Sequence, residues 1–296
     1  MPGHEQGSEL QARPRDARAL LREYGLAAKK SWGQNFLVDE RTYRAIVEAA
    51  GLGPGLWAVE IGAGLGTLTA RLAERAERVI AIERERDMIE VLHGELGEHP
   101  RVEIAEANAL TFDYGAVAAR AGGKPVVVGN LPYQIASPIL FRLLDAREHL
   151  LRLVVMLQKE MADRILARPG TSEYGALTVM VQMLGEPHLV CRVPAGAFHP
   201  APRVASAVLR VELAGGTQVP VGDLEVFRRL VRAAFGQRRK TLRNALRSLG
   251  PGVEAALGAA GIDGQRRGET LDVAAFARLS DELVAQGLGK GLPAPE

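Results

Sequence analysis

The chain is 296 residues long, 47% hydrophobic and 24% charged, which is enough to bury a core and to divide into one large and one smaller domain, and which excludes an intrinsically disordered chain. A single cysteine, Cys191, excludes an internal disulfide framework or a thiolate metal cluster, and it is expected as a buried, inert thiol. With 37 Lys and Arg against 35 Asp and Glu the net charge is only +2, so affinity for a polyanion has to come from where the charges sit.

Residues 1–16 are polar and carry Pro and Gly; they read as a flexible tail without the apolar run of a signal peptide. The longest strongly apolar stretch, around Leu150 to Leu157, is too short to cross a bilayer, so a cytoplasmic protein is expected. A short helix through Leu20 to Tyr24 follows the tail. Asp39 is placed to N-cap a helix running to Ala50, with Gly51 as its stop. Alternation then begins: strand Trp57 to Ile61, a glycine-rich turn, helix Thr67 to Arg75, strand Arg78 to Ile82, helix Glu85 to Leu96, strand Arg101 to Ala105. An apolar strand from Pro125 to Val128 runs into Asn130, and Ser137-Pro138 reads as an N-cap and first helical residue opening a helix to about Asp145. A buried strand from Leu150 to Leu157, two more helical stretches and strands Leu189 to Val193 and Ala205 to Leu213 complete an α/β pattern with a parallel, doubly wound sheet over 17–213. Ala214 to Val221 is a linker candidate. Beyond it the periodicity is helical (Asp223 to Phe235, Arg238 to Leu249, Val253 to Ala260, Asp272 to Ala285), so a smaller all-helical domain is expected over 220–296.

The turn Glu60-Ile61-Gly62-Ala63-Gly64-Leu65-Gly66 lies between a strand and a helix, where glycines let backbone approach a ligand closely. Glu83 ends the next strand, twenty-one residues beyond Gly62, the separation at which a carboxylate meets a ribose diol. Two details favour S-adenosylmethionine over a dinucleotide. The spacing is Gly-x-Gly-x-Gly, and the carboxylate of Glu60 would repel a pyrophosphate while suiting the ammonium and sulfonium charges of the methyl donor. Asn108, after the third strand, either hydrogen-bonds the donor's adenine or is a plain turn residue; the local sequence leaves both open.

At the end of the fourth strand stands Asn130-Leu131-Pro132-Tyr133. An exocyclic amine on adenine is a poor nucleophile because its lone pair is delocalised into the ring. Acceptors aimed at its N–H bonds, the Asn130 side-chain carbonyl and the Leu131 main-chain carbonyl, would localise that pair, with Pro132 fixing the backbone and Tyr133 stacking on the base. A turn of this composition after a buried strand is also common without any ligand, but this one falls at the carboxyl end of the sheet, where open α/β sheets bind ligands.

Gly33-Gln34-Asn35-Phe36-Leu37, the Glu60 to Gly66 turn, Glu83, Asn130 to Tyr133 and Phe198-His199-Pro200-Ala201-Pro202-Arg203-Val204-Ala205-Ser206 together resemble the ribosomal RNA adenine N6,N6-dimethyltransferases, from about Lys29 into the helical region. The resemblance implies a Rossmann-like class I methyltransferase sheet, with Asn35, Leu37, Gly62, Gly64, Glu83, Asn108 and Asn130 toward S-adenosylmethionine, and Phe198 joining Tyr133 on the target base. The chain departs from the family pattern at Asn108, where Asp is usual. It looks closest to the small-subunit type, which dimethylates two adjacent adenosines in a hairpin loop near the 3′ end of 16S rRNA, by its Asn-Leu-Pro-Tyr turn, the Gly before Gln34 and the helical C-terminal domain. The relatives that act on 23S rRNA are similar in fold and motif. Adenine DNA methylases and glutamine methylases usually carry Pro where this chain has Leu131, and a non-catalytic RNA-binding assembly factor is the reading from another class.

For RNA, Arg238, Arg239, Lys240, Arg243 and Arg247 stand out. If 238–249 is one helix, Arg239, Arg243 and Arg247 line one face without acidic partners there. Lys29, Lys30 and Arg203 are secondary candidates, and the Gln237 to Leu242 segment resembles one in the family. The expected partner is 16S rRNA within a small ribosomal subunit or its precursor, met by a monomer. The six histidines show no metal-ligand spacing, so no metal is expected, and neither a P-loop nor a Gly-x-Ser-x-Gly elbow is present.

Overall fold

Capping side chains fix the first boundaries. In the computed structural model, which describes residues 15–28, 34–213 and 215–288, α1 spans Ala17–Glu23 and β1 is the two-residue piece Phe36–Leu37. Asp39 accepts from the Thr42 N–H at 2.8 Å to open α2 (Glu40–Ala50), which ends at Gly51 with φ of 58°, a left-handed value that glycine adopts without strain. There follow β2 (Trp57–Ile61), α3 (Thr67–Ala73), β3 (Arg78–Glu83), α4 (Arg86–Leu96), β4 (Val102–Glu106), α5 (Tyr114–Ala121), β5 (Val126–Asn130), α6 (Ala136–Asp145) and β6 (Arg152–Gln158). The chain continues through α7 (Lys159–Ile165), α8 (Ala176–Leu184), β7 (Gly185–Val193), β8 (Phe198–His199) and β9 (Ser206–Leu213). The last helices are α9 (Leu224–Gly236), α10 (Leu242–Ala245), α11 (Val253–Ala259) and α12 (Val273–Ala285). Among the described residues no helix is long and apolar enough to cross a membrane.

The described residues form two compact units. The first comprises the described part of Met1–Gln158 together with Val190–Arg210. Its large sheet has strand order β4-β3-β2-β5-β6-β9-β7, and β3 to β4, β2 to β3, β2 to β5 and β5 to β6 are parallel pairs. The order reverses at β2, which pairs Ile61 with Ile82 on one side and with Gly129 on the other. That makes the carboxyl ends of β2, β3 and β5 neighbours at the topological switch point, where such sheets open a crevice. The central strands β2, β3, β5 and β6 are buried on both faces, with Val59, Val79, Ala81, Val126 to Val128 and Val155 fully inaccessible, which accounts for their continuous apolar sequence. Two elements carried no signal in the sequence reading. One is α5, N-capped by Asp113 on the Ala116 N–H at 2.9 Å; the other is the small antiparallel pair of β1 and β8.

The second unit comprises Lys159–Leu189 and the described part of Val211–Glu296. Here α9 packs on α8, α10 and α12, and α11 on α12. Phe227 and Phe276 are fully buried, and Tyr174, Phe235 and Phe276 form a chain of ring contacts at 6.0 and 5.8 Å. The described part of 220–288 is helical, as expected, but α7 and α8 pack with these helices, so the division is discontinuous in sequence where a single cut between 213 and 220 was expected.

Two further local expectations are corrected. Ser137 and Pro138 do not open α6; a tight 3-10 turn at Tyr133–Ile135 runs directly into it, leaving both residues inside its first turn, where a missing N–H costs nothing. The stretch 238–249 is not one helix either. The chain turns at 237–240, and the Leu242 and Arg243 N–H groups bond the carbonyls of Arg266 (2.7 Å) and Gly264 (3.0 Å), so only the four residues of α10 and a 3-10 turn at Arg247–Leu249 remain helical. Of the expected tail, 1–14 lie outside the described residues.

A Cβ on Gly129 would stand 2.7 Å from the carbonyl oxygen of Ile61 across the β2–β5 pair. Gly129→Ala is therefore expected to lower the unfolding free energy by about 1–3 kcal/mol, the usual cost of overpacking. Urea denaturation measures it, and an unchanged midpoint would show that the two strands are free to spread.

Candidate active site

The loop between β2 and α3 takes left-handed backbone at Gly62 (φ 70°), Gly64 (φ 56°) and Gly66 (φ 76°), conformations that a side chain would strain. A Cβ on Gly66 would also meet Leu96 at 2.8 Å. With this shape the Gly62 and Ala63 N–H groups bond the Ile82 carbonyl, at 2.9 and 3.1 Å, and the loop curls against the end of β3. Beneath it lies a cavity of about 490 Å³, the size of a small-ligand site. Asn35, Leu37, Glu60, Gly62, Gly64, Glu83, Asn108, Asn130, Leu131, Pro132 and Tyr133 all line it.

Each of these side chains is held differently. The Glu83 carboxylate accepts from the backbone N–H groups of Gly64 (2.9 Å), Arg84 (2.7 Å) and Glu85 (3.0 Å), which fixes its plane. Glu60 is 2% exposed and receives the Thr69 hydroxyl at 2.5 Å. Burial pushes its carboxyl up to about 8; the Thr69 bond opposes that and the nearby Glu83 charge adds to it. Glu60 was expected to offer a standing negative charge. Near neutral pH it is instead mainly a neutral acid, because burial penalises the ionised form more than one hydroxyl relieves it.

Asn108 Oδ1 accepts from the Leu110 N–H at 3.1 Å, so the turn role is realised while the amide still borders the cavity. Asn130 Nδ2 donates to the Asn35 carbonyl at 3.3 Å, which sets the amide orientation and turns Oδ1 the other way. Leu131 is buried, its N–H on the Met156 carbonyl at 3.1 Å, and Pro132 holds φ at −59°. The Tyr133 hydroxyl pairs with Ser206 Oγ at 2.9 Å, and burial raises the phenol's pKa.

Phe198 does not join the cavity lining. It is 2% exposed and packed in the core, opposite Leu37 in the β1–β8 pair. Cys191 is half-buried, its thiol pushed up by burial. Gly33, Lys29 and Lys30 lie outside the described residues, and Arg203 is exposed.

The basic residues are exposed but do not share one helix face. Arg238 Nη2 donates to the Ser172 and Tyr174 carbonyls at 2.7 and 3.0 Å and lies 3.9 Å from Glu269. Arg243 pairs with Glu254 at 2.9 Å, so the expected lack of acidic partners is also corrected. Arg239 and Lys240 sit on the 237–240 turn, and Arg247 on its 3-10 turn.

Several contributors escaped sequence reading. Tyr43 donates to the Leu37 carbonyl at 2.6 Å and meets Thr67 Oγ1 at 2.7 Å, tying α2 to both edges of the cavity; burial pushes its phenol up to about 12. Gln34 Nε2 donates to the Glu85 carboxylate. Gln34 and Ser206 stood within recognised motifs, whereas nothing in linear sequence marks Tyr43 or Thr69 as partners of the site.

With this geometry in place, the family described as ribosomal RNA adenine dimethylase matches residues 25–285. The chain belongs to this family. Among the dimethylase relatives, a ribosomal RNA small subunit methyltransferase A from Anaeromyxobacter sp. (strain K) is 50% identical, covering 90% of this chain and 97% of that protein. The protein of the same description from Geobacillus thermodenitrificans (strain NG80-2) is 44% identical, covering 92% and 97%. Two solved structures share the architecture. A dimethyladenosine transferase from Plasmodium falciparum has a TM-score of 0.71 and 26% identity, over 86% of this chain and 98% of that one. The 23S rRNA methyltransferase ErmE has a TM-score of 0.64 and 30% identity, over 84% and 100%. The dimethylase fold is thus a class I methyltransferase sheet with a C-terminal helical region, and the chain is an rRNA-modifying methyltransferase.

Glu60 gives the family member a pH signature. Between about 4.5, where an unfolded carboxyl ionises, and about 8, the folded state holds a proton that the unfolded chain has lost, so stability falls as pH rises through that window, by at most about 1.4 kcal/mol per pH unit. Glu60→Gln should flatten this part of the melting-temperature profile between pH 5 and 8.5. A variant whose profile retains the wild-type slope would show that Glu60 is ionised throughout.

Proposed function

We propose that the protein uses S-adenosylmethionine to dimethylate N6 of two adjacent adenosines in a hairpin loop near the 3′ end of 16S rRNA. It would act as a cytoplasmic monomer on the small ribosomal subunit or its precursor. The observation that carries this reading is the opening of Asn130-Leu131-Pro132-Tyr133 into the same cavity as the glycine loop and Glu83. The small-subunit target is supported by relatives of that description at 44 and 50% identity, against 30% for the 23S rRNA enzyme.

The residues present suit such a donor. Glu83, pinned by three N–H groups, offers its remaining lone pairs to a ribose diol, and Asn108 offers an amide to the adenine edge. The side chain of Leu37 and the backbone at Gly62 and Gly64 form the walls, with the Asn35 segment above Asn130. When bound, the donor supplies an electrophilic methyl group on a cationic sulfur, and its product is S-adenosylhomocysteine.

Asn130 Oδ1 and the Leu131 carbonyl would accept the two N–H bonds of the target amine and draw its lone pair out of the ring. Asn35 keeps the Asn130 amide from flipping, and the fixed backbone of Pro132 keeps the two acceptors in register. Tyr133 would stack on an extruded adenine, with Ser206 holding the phenol and hence the ring plane. Positioning supplies much of the rate, the proton of the methylated amine leaves to water, and the scheme assigns no metal ligand.

We assign methyl transfer to the unit that 17–158 and 190–210 share, and RNA contact to the helical stretch 220–288. Arg238, Arg239, Lys240, Arg243 and Arg247 would meet phosphates from two turns and a short helix. Phosphates position without specifying, so the loop is chosen by shape and by its extruded base.

Undermodified small subunits given labelled donor should yield N6,N6-dimethyladenine in 16S rRNA, and label confined to 23S rRNA would move the assignment to that branch. Asn130→Ala should lower kcat on the order of 100-fold or more while particle binding persists. Full activity in that variant would refute the acceptor assignment. Ser206→Ala should cost about fivefold in kcat, the worth of one hydrogen bond, with donor affinity unchanged. Tyr133→Phe should give the same loss and no further loss in the double variant; additive losses would separate the two residues.

A further inference from the structure

Of the carboxyl residues that border the cavity, Glu60, Glu83 and Glu85, the first two are treated in opposite ways. Glu83 receives three backbone N–H donors. Glu60, 2% exposed, has the Thr69 hydroxyl at 2.5 Å as its donor. Among the described residues no cation pairs with it, although Arg84 also borders the cavity. From β3 comes Glu83, which adds to the cost of ionising Glu60; from α2 come Tyr43, a phenol that stays neutral through the physiological range, and Glu40, which is paired with Arg71. Arg71, on the same helix as Thr69, is committed to Glu40 and to the Thr67 carbonyl and stacks on the Tyr43 ring at 4.0 Å. From β5 the neighbour is the neutral Asn130. A buried carboxyl in such company lacks a counter-ion, although the cavity it borders is one to which a cation would come.

We propose that Glu60 reads the charge on the donor's sulfur: it rests as a neutral acid, ionises when a sulfonium enters the cavity, and is reprotonated once transfer leaves a neutral thioether. The inference rests on the donor assigned above. Donor and spent product share the same adenosine and the same amino-acid end, so those parts cancel in a comparison of the two. What differs is one permanent positive charge on sulfur. In a cavity shielded from water that charge stabilises a nearby carboxylate far more than it would in bulk solvent. The donor therefore gains an ion pair that the product cannot make, and the site favours fresh donor over spent product whenever the proton has somewhere to go. Dimethylation requires repeated exchange of product for donor, and a site that loses its ion pair on transfer sheds product readily.

The proton count closes. On binding, the Glu60 O–H bond breaks and the proton passes to solvent. In transfer, the S–C bond breaks, an N–C bond forms and the amine gives up one proton. On return to the resting state Glu60 takes one proton back from solvent. The net yield is one proton per methyl group, as alkylation of a neutral amine demands. Burial alone already holds Glu60 protonated up to about pH 8, consistent with this cycle.

Calorimetry on the full chain tests it. Titrations with S-adenosylmethionine and with S-adenosylhomocysteine at pH 7.0, in buffers of low and high ionisation enthalpy, report the protons exchanged on binding. The expected result is release of close to one proton with the donor and less than half of that with the product. The product-to-donor Kd ratio should rise up to about tenfold per pH unit between pH 6 and 7.5. Glu60→Gln should abolish both the extra release and the pH dependence of that ratio. Thr69→Val, which removes the one hydroxyl favouring the carboxylate, should move the release to higher pH. Donor binding without proton release, equal release with both ligands, or unaltered release in Glu60→Gln would overturn the inference while leaving the donor assignment intact. Absence of binding by either ligand would instead overturn the donor assignment itself.

Discussion

The close approach of β2 to β5 governs the rest of the molecule. These strands pair in parallel at the point where the strand order reverses, with Gly129 so near the Ile61 carbonyl that no side chain fits between them. Their carboxyl ends carry the two features that matter chemically, the glycine loop after Ile61 and the asparagine-led turn that begins at Asn130. Because both strands are buried on both faces, neither has room to shift, and the loop and the turn are held across one cavity by core packing. Close backbone packing at the sheet thereby becomes fixed separation at the site.

A cavity lined by Glu60 and Glu83 has an electrostatic cost that the fold meets by two different means. Glu83 takes backbone donors from Gly64 in the loop after β2 and from Arg84 and Glu85 just beyond the end of β3. Glu60 lies one residue before the end of β2, where the neighbouring strands have already used the backbone N–H groups in the ladder, so a side-chain hydroxyl from α3 is what remains to reach it. The difference in the donors each carboxyl receives follows from position along a strand, not from residue type.

Much of this was legible in the sequence because it depended on local chemistry. Asp39 and Gly51 bound α2 as capping rules require, and apolar runs marked the buried strands within a residue or two. The glycine spacing, Glu83 and the Asn130 turn pointed to the cavity that the fold assembles. What failed depended on partners distant in the chain. The periodicity over 238–249 is helical, yet carbonyls of Gly264 and Arg266 capture the N–H groups on which a longer helix would rely, and the supposed row of arginines is dispersed. Glu60 looked like a charge because sequence does not display burial, and α7 and α8 looked like part of the first domain because sequence does not display what a helix packs on.

The burial of Phe198 has a structural reason that joins two separate motifs. Phe198 pairs with Leu37, and His199 with Phe36, so the segment after Gln34 and the segment around Phe198, more than 150 residues apart, form one small antiparallel ladder. The buried Phe198 ring packs in the core with Leu37, Val193 and Val208, and Tyr43 secures the Leu37 carbonyl from the other side. So anchored, β1 carries Asn35 to the cavity edge, where its carbonyl receives the Asn130 amide. An aromatic that resemblance assigns to the substrate is, in this fold, packed in the core, on the strand paired with the one that leads from Asn35, whose carbonyl receives the Asn130 amide.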